Sequence, residues 1–166
     1  MRTLQPPWAW AGLGALAGAL VTLVLQAPAA WLALALTAAS GGKLELPQAR
    51  GTVWNGSARL QLSGGAGSND RASLPGRINW SIRPALDGLA IRLQADCCTP
   101  DPLALRLSPG WGRLTLQVQE TAPGASRASV WPAALLAGLG TPWNTLQIDG
   151  SLSLSTQGLS VEWNQG

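Results

Sequence analysis

The chain has 166 residues, 46% of them hydrophobic, and a formal net charge of +3 at pH 7. This apolar fraction excludes a disordered chain, and the length suits one domain plus an anchor. The 11 Lys and Arg residues are spread singly along the chain, so no basic block could follow a phosphate backbone, and we expect no nucleic-acid partner. His is absent from the sequence. Because His is the commonest general base and neutral metal ligand, we do not expect an enzyme.

The first predicted element is a long apolar helix. No charged residue occurs between Arg2 and Lys43, and residues 8–25 form one run dominated by Trp, Ala, Gly, Leu and Val. At about 1.5 Å per residue, this run approaches the ~30 Å hydrocarbon core of a bilayer. We therefore predict a transmembrane anchor over residues 8–27, preceded by a cytoplasmic tip at residues 1–7.

A cleaved secretory signal is the alternative for the same segment. Arg2 would then lie in the n-region, and residues 27–29 (Ala-Pro-Ala) would form a poor small-residue cleavage site. The apolar run is longer than the ~7–15 residues usual for the core of a signal peptide, which favours the anchor. Arg2 also favours a cytoplasmic N-terminus. Both alternatives export the chain from about Ala30 onward.

Residues 28–42 are predicted to form a short apolar helix and a linker. Pro28 breaks the first helical pattern, residues 29–39 continue it, and two glycines then end it. This helix is too short to span a membrane again. It either covers one end of the following sheet or lies on the membrane surface with Trp31 among the headgroups.

Residues 43–166 are predicted to form an exported all-β domain. Its first clear signal is the pair Asn55-Gly56, which favours a tight hairpin turn with positive φ at both residues. Residues 57–62 then alternate polar and apolar, as a strand with one buried face does. Residues 63–73 are rich in Gly, Ser and Asn and predict an exposed loop.

The rest of the domain repeats this alternation, with turns at a spacing of about 8–12 residues. Such a pattern predicts a mainly β fold, an antiparallel meander, curled sheet or sandwich. The predicted strands cover residues 77–83, 89–94, 103–107, 113–119, 146–148, 152–154 and 159–163, with turns at Asp87-Gly88, Pro109-Gly110 and Gln157-Gly158. One short helix over residues 130–140, capped by Ser129 and with Pro132 in its first turn, is predicted to close an open end of the sheet.

Four motifs in this order resemble type II secretion system protein N. They are Gly51-Thr52-Val53-Trp54-Asn55-Gly56-Ser57-Ala58, then Ile78-Asn79-Trp80-Ser81-Ile82-Arg83-Pro84 with Gly88, then Trp131-Pro132-Ala133 running to Leu139-Gly140-Thr141-Pro142-Trp143-Asn144, and Gly150-Ser151-Leu152-Ser153-Leu154. The positions that carry the resemblance are Gly51, Trp54, Gly56, Trp80, Pro84, Gly88, Pro132, Pro142, Trp143 and Gly150. The resemblance covers about residues 28–163.

The resemblance implies a single-pass accessory subunit of the bacterial inner membrane, with the bulk of the chain in the periplasm. Such a subunit would serve the export of folded proteins from the periplasm by binding other inner-membrane and periplasmic subunits of the type II secretion system. Members of the family are usually longer. The strand ending at Trp163 is therefore expected to be an exposed edge or the mark of a shortened member.

Little in the sequence suggests chemistry, and we expect no catalytic site, cofactor or metal. Asp96 and Asp101 are the only closely spaced carboxylates, and they flank Cys97-Cys98. Two cysteines cannot supply the four ligands of a structural zinc site. In the periplasm they would close as a vicinal disulfide, remain unbridged or pair between chains, with a redox sensor as a further alternative.

The nine Trp residues are either core or ligand contacts. With Phe and Tyr absent, Trp is the only large aromatic residue available to fill a core. The competing hypothesis is a groove lined by Trp54, Trp80, Trp111, Trp131, Trp143 and Trp163. Trp143 follows Pro142 in a loop and is the best candidate for contact with a partner. A second functional hypothesis is a membrane-anchored lipid-binding or lipid-transfer protein, whose curled sheet would hold acyl chains.

Overall fold

The computed structural model describes residues 8–119, 129–146, 148–155 and 159–164. Two helices come first, α1 (Trp8–Leu25) and α2 (Ala29–Ala39). Twelve strands follow in the described ranges: β1 (Leu44–Glu45), β2 (Arg50–Gly51), β3 (Asn55–Ala58), β4 (Gln61–Ser63), β5 (Arg71–Ser73), β6 (Ile78–Ala85), β7 (Gly88–Ala95), β8 (Leu103–Gly110), β9 (Arg113–Gln119), β10 (Ser129–Pro132), β11 (Ser151–Leu154) and β12 (Ser160–Asn164). A 3-10 helix, Ala133–Leu139, lies between β10 and β11. The predicted tip at residues 1–7 lies outside these ranges.

The strands form three antiparallel sheets. The main sheet has the order β12-β9-β8-β7-β6-β3-β2, a small sheet has the order β1-β4-β5, and β10 pairs with β11. Successive hairpins connect β6, β7, β8 and β9, so the centre of the main sheet is a meander. The mainly β, antiparallel fold expected from the alternating pattern is confirmed.

Strand register places the apolar residues of the main sheet on one face. Trp80 lies opposite Leu93 on β7, and Ile91 lies opposite Leu105 on β8. Leu105 in turn lies opposite Val118 on β9. Because side chains alternate along a strand, the Arg, Gln, Ser and Asn residues between these positions project from the other face.

Two clusters of buried side chains make up the core. In the first, α2 covers β3 and β6, and Ala29, Ala58 and Trp80 are buried with Leu32 packed against them. Trp31 on α2 is half exposed. The second cluster joins the 3-10 helix to the end of the main sheet, and it consists of Leu74, Ala95, Cys98 and Leu135.

The helix α1 has 18 residues and carries no charged side chain. Its Leu and Val side chains are exposed at positions along its length, including Leu13, Leu16 and Val24. Among the described residues, none of the helices has both the length and the apolarity that a membrane crossing requires. The predicted anchor therefore stays a prediction.

The turn predicted at residues 55–56 is wrong. Both residues lie in β3, and residues 52–54 form the hairpin loop, in which the Thr52 N–H donates to the Asn55 carbonyl (2.8 Å). Gly56 lies opposite Trp80 in the neighbouring strand. A Cβ on Gly56 would lie 2.5 Å from Cζ2 of Trp80. Glycine is required here by the close approach of the indole ring and not by a positive φ.

The single strand predicted over residues 57–62 is also wrong. β3 ends at Ala58 and pairs in the main sheet, whereas β4 begins at Gln61 and pairs in the small sheet. Between them the Arg59 N–H donates to the Pro47 carbonyl (3.1 Å). Polar and apolar residues continue to alternate where the chain passes from the main sheet to the small sheet. The sequence pattern therefore did not reveal the change of sheet. The predicted loop over residues 63–73 is too long, since Ser63 is buried at the end of β4 and β5 begins at Arg71.

The short helix begins later than predicted. Residues 129–132 form β10, which pairs with β11, and the helix that follows is of the 3-10 type. The Ser129 hydroxyl donates to the Leu154 carbonyl (3.2 Å) across this pair, so it does not cap the helix. Pro132 occupies the N-cap position.

Two further strand boundaries differ from the predictions. β8 and β9 stay paired through Gly110 and Arg113, so the turn lies at residues 111–112, where Gly112 has a φ of 68°. Leu146 lies in a turn, and Ile148 is outside any strand. Gln147 and the predicted turn at residues 157–158 lie outside the described residues.

Candidate interaction surfaces

The end of α1 is hydrogen-bonded to the β2–β3 hairpin. The indole N–H of Trp54 donates to the Val24 carbonyl (2.7 Å), and the Val53 N–H donates to the Ala27 carbonyl (2.8 Å). The Trp54 carbonyl accepts from the Ile82 N–H of β6 (2.7 Å), which links the loop to the centre of the main sheet. The sequence did not predict this junction, because its partners are 30 residues apart.

Four motif residues meet at this junction. Gly51, with a φ of 88°, precedes the loop that carries Trp54, and Gly56 receives the ring of Trp80. Trp80 is 5% exposed, and its indole N–H donates to the Val53 carbonyl (3.0 Å). These four residues form the connection between α1 and the main sheet. Their contacts there account for a Gly or Trp at each position, so no ligand is needed to explain them.

Pro84 and Gly88 lie at the β6–β7 hairpin. Pro84 pairs with Leu89, and the turn between Ala85 and Gly88 exposes Leu86 fully. A Cβ on Gly88 would overlap the backbone of β8.

The neighbouring β8–β9 hairpin exposes Trp111 in the same way. Trp111 is fully exposed at residues 111–112, the turn of that hairpin. The two hairpins are tied together by an ion pair between Arg106 Nη1 and Asp87 Oδ2 (2.6 Å), whose side chains are 33% and 54% exposed. Leu86, Trp111 and the exposed Arg83 and Arg113 beside them are called the hairpin-tip surface below.

The remaining motif residues surround the 3-10 helix. Pro132 ends β10, and the Gly150 carbonyl accepts from the Ala133 N–H at the start of the helix (2.9 Å). Pro142 follows a cis peptide bond, and Trp143 is 39% exposed beside it.

The two cysteines lie near this helix. A disulfide joins Cys97 to Cys98. Cys98 is buried against Leu135, and its carbonyl accepts from the Val130 N–H (3.0 Å), whereas Cys97 is exposed. The pair therefore lies in the turn after β7, where it borders the second core cluster.

Among the described strands, β12 is the edge strand at one side of the main sheet. In the described part of the chain its strand partner is β9 alone. The Val118 N–H donates to the Leu159 carbonyl (2.8 Å), so the hydrogen-bonded pairs toward β9 involve the odd-numbered residues of β12. The backbone groups of Ser160 and Glu162 consequently face the open edge.

The tryptophans of the proposed groove do not lie together. Trp54 and Trp80 belong to the junction, Trp111 to the hairpin tips, Trp131 and Trp143 to the surroundings of the 3-10 helix, and Trp163 to the edge strand. Trp80 is core, as the composition favoured.

The described residues contain no cluster of three or more potential metal ligands. Asp96 accepts a hydrogen bond from the Asn79 amide (2.9 Å), which gives it a structural partner. A shallow depression of about 250 Å³ lies beside β6 and β7, and Arg92 is the charged residue among its lining side chains. It offers no paired acid and base.

Comparison with known proteins identifies a family. The family model described as type II secretion system (T2SS), protein N matches residues 42–165, a range that includes all three sheets. The match confirms the resemblance carried by the four motifs. No curated protein and no solved structure gives a significant match.

Proposed function

The chain belongs to the type II secretion system protein N family, and on that premise we propose that it is an accessory inner-membrane subunit of the secretion machine. It acts by binding other subunits in the inner membrane and periplasm during export of folded proteins. The observation that carries this proposal is the open edge of β12, a surface suited to pairing with a strand of another protein.

The proposed anchor is α1, with the N-terminus in the cytoplasm and the β domain in the periplasm. Its 18 residues correspond to about 27 Å, about 3 Å short of a typical hydrocarbon core. Local thinning of the bilayer accommodates a deficit of this size. The exposed side chains of Leu13, Leu16 and Leu20 support the proposal, because lipid is the solvent that suits them.

The proposed docking edge is apolar on one side and polar on the other. Val161 and Trp163 continue the apolar face of the sheet through their partners Leu116 and Leu114. The outward N–H and C=O groups of β12 provide the affinity, because an added strand satisfies them. Side chains that alternate apolar and polar on the added strand would match both faces of the sheet.

A proline substitution tests the proposed edge. Glu162→Pro removes an outward N–H and places a ring on the open edge, while the odd-numbered residues keep their bonds to β9. We expect full-length Glu162→Pro protein, purified in detergent, to lose the secretion-system subunits that the parent protein recovers. The matched control is Glu162→Gln, which removes the charge and keeps the N–H. Equal recovery with both variants would contradict docking through β12.

Lipid binding is a second candidate function, and the apolar face of the main sheet favours it. Leu105, Leu107, Leu116 and Val118 are partly exposed on this face. In the described part of the chain, no helix packs closely across β8 and β9. Mass spectrometry can measure the lipid that copurifies with the protein, with and without residues 1–26. Stoichiometric lipid that stays bound without residues 1–26 would support this candidate. Lipid lost together with the anchor would count against it.

A further inference from the structure

Two hairpins of the main sheet end side by side in fully exposed apolar residues. Leu86 lies at the β6–β7 turn, and Trp111 lies at the β8–β9 turn. Because β6 to β9 form a continuous meander, both turns lie at the same end of the sheet, about 10 Å apart. The side chains of Leu86 and Trp111 do not pack in the core. An external apolar partner would explain why these side chains are exposed.

The hairpin-tip surface carries exposed arginine side chains. Arg83 and Arg113 are exposed next to the hairpin tips, and Asp87 there is already paired with Arg106. These exposed guanidinium groups can bind an anionic partner.

The tips also lie at the end of the sheet to which α1 is attached. Trp54 links α1 to the sheet at Ile82, and β6 runs from Ile82 toward Leu86. Four residues of strand cover about 13 Å. The opposite end of β6, at Ile78, packs against the small sheet and the 3-10 helix.

We propose that the hairpin-tip surface is a second membrane contact, which docks on anionic lipid headgroups of the bilayer that holds α1. This inference rests on the proposed anchoring by α1. Trp side chains favour the headgroup region, and Leu86 would reach the boundary of the acyl chains. The guanidinium groups of Arg83 and Arg113 match lipid phosphates in geometry and charge.

This contact fixes the orientation of the domain. With the tips on the bilayer, the strands stand upright on the membrane. The open edge of β12 then faces sideways along the membrane surface, because strands pair at right angles to their own direction. A neighbouring subunit anchored in the same membrane could reach it there.

An environment-sensitive label at the tip tests the inference. Full-length Leu86→Cys protein carries the fluorophore NBD, attached without reductant so that the Cys97–Cys98 disulfide stays closed. The matched control is Gln94→Cys, exposed on β7 about 20 Å from the tip. Both proteins are placed in nanodiscs of phosphatidylglycerol or phosphatidylcholine, with nitroxide lipids as quenchers. Labelled protein without either substitution is the blank.

We expect the label at position 86 to shift to the blue and to be quenched in phosphatidylglycerol discs, with no change at position 94. The double variant Arg83→Gln/Arg113→Gln should reduce the quenching at 86 toward its value in phosphatidylcholine. Equal emission at 86 and 94, in discs that contain the protein, overturns the inference and leaves the anchoring by α1 intact. Protein that elutes apart from the discs overturns both.

Discussion

The substitution Gly56→Ala should destabilise the domain, although alanine normally stabilises a strand relative to glycine. The added Cβ would lie 2.5 Å from Trp80 Cζ2 and 2.7 Å from the Arg50 carbonyl oxygen. Trp80 Cζ2 belongs to a buried ring and the Arg50 oxygen belongs to the backbone, so neither atom can move away easily. Overpacking of this kind costs about 1–3 kcal/mol, and the lower entropy of the unfolded chain returns about 0.4–1 kcal/mol.

The central values of these ranges give a net loss of about 1.3 kcal/mol, which corresponds to a decrease in Tm of about 3–5 °C for a chain of this size. Tryptophan fluorescence during heating in detergent measures it. The matched control is Gly110→Ala in β8, where the added Cβ meets Cγ of Arg113 at 3.0 Å, a flexible and exposed side chain that can move. If Gly56→Ala melts no lower than Gly110→Ala, the close approach of Trp80 does not constrain Gly56.

Two other substitutions have smaller expected effects. Trp54→Phe keeps an aromatic ring but loses the hydrogen bond to α1. It should speed hydrogen exchange at the Val53 amide by the equivalent of about 0.5–1.5 kcal/mol, and unchanged exchange would show that this bond does not hold the junction. Asp87→Asn breaks an ion pair whose partners are 33% and 54% exposed. It should cost under about 1 kcal/mol and less still at high salt, so a larger loss in Tm would contradict a weak surface pair.

Alternation predicted the meander well, because the strands from Ile78 to Gln119 have one apolar face and pair with their sequence neighbours. The helix over residues 29–39 was also predicted with its bounds. In both cases the information is local. Pro28 marks the start of α2, and tight hairpins keep successive strands in register.

The errors occur where distant residues decide the local structure. Asn55-Gly56 has the composition of a turn, but the ring of Trp80 requires glycine within a strand. Residues 57–62 alternate as one strand, but the pattern does not show that the chain changes sheets at Arg59. Ser129 is of a residue type that often caps helices, but its hydroxyl donates a hydrogen bond to the Leu154 carbonyl of β11. Which strands pair with each other depends on tertiary contacts, and the local pattern of a single sequence does not reveal it.

The interaction surfaces were predictable only in part. Four motif positions lie at the junction and two at the β6–β7 hairpin, although the sequence did not predict that the junction forms. Trp163 was expected at an edge, where β12 lies. The hairpin tips were missed because the turn was placed at Pro109-Gly110, which left Trp111 without a special position. Gly112, which has a φ of 68°, is the residue in the sequence that could have indicated the correct turn.

Recovery of secretion-system subunits by full-length protein is the most direct test of the central claim. The account predicts that the parent protein and Glu162→Gln recover other membrane and periplasmic subunits of the type II system, and that Glu162→Pro does not. All three proteins should have the same Tm, since the ladder to β9 is intact in each. Stoichiometric lipid without any secretion subunit in the parent sample would contradict the account in favour of lipid handling.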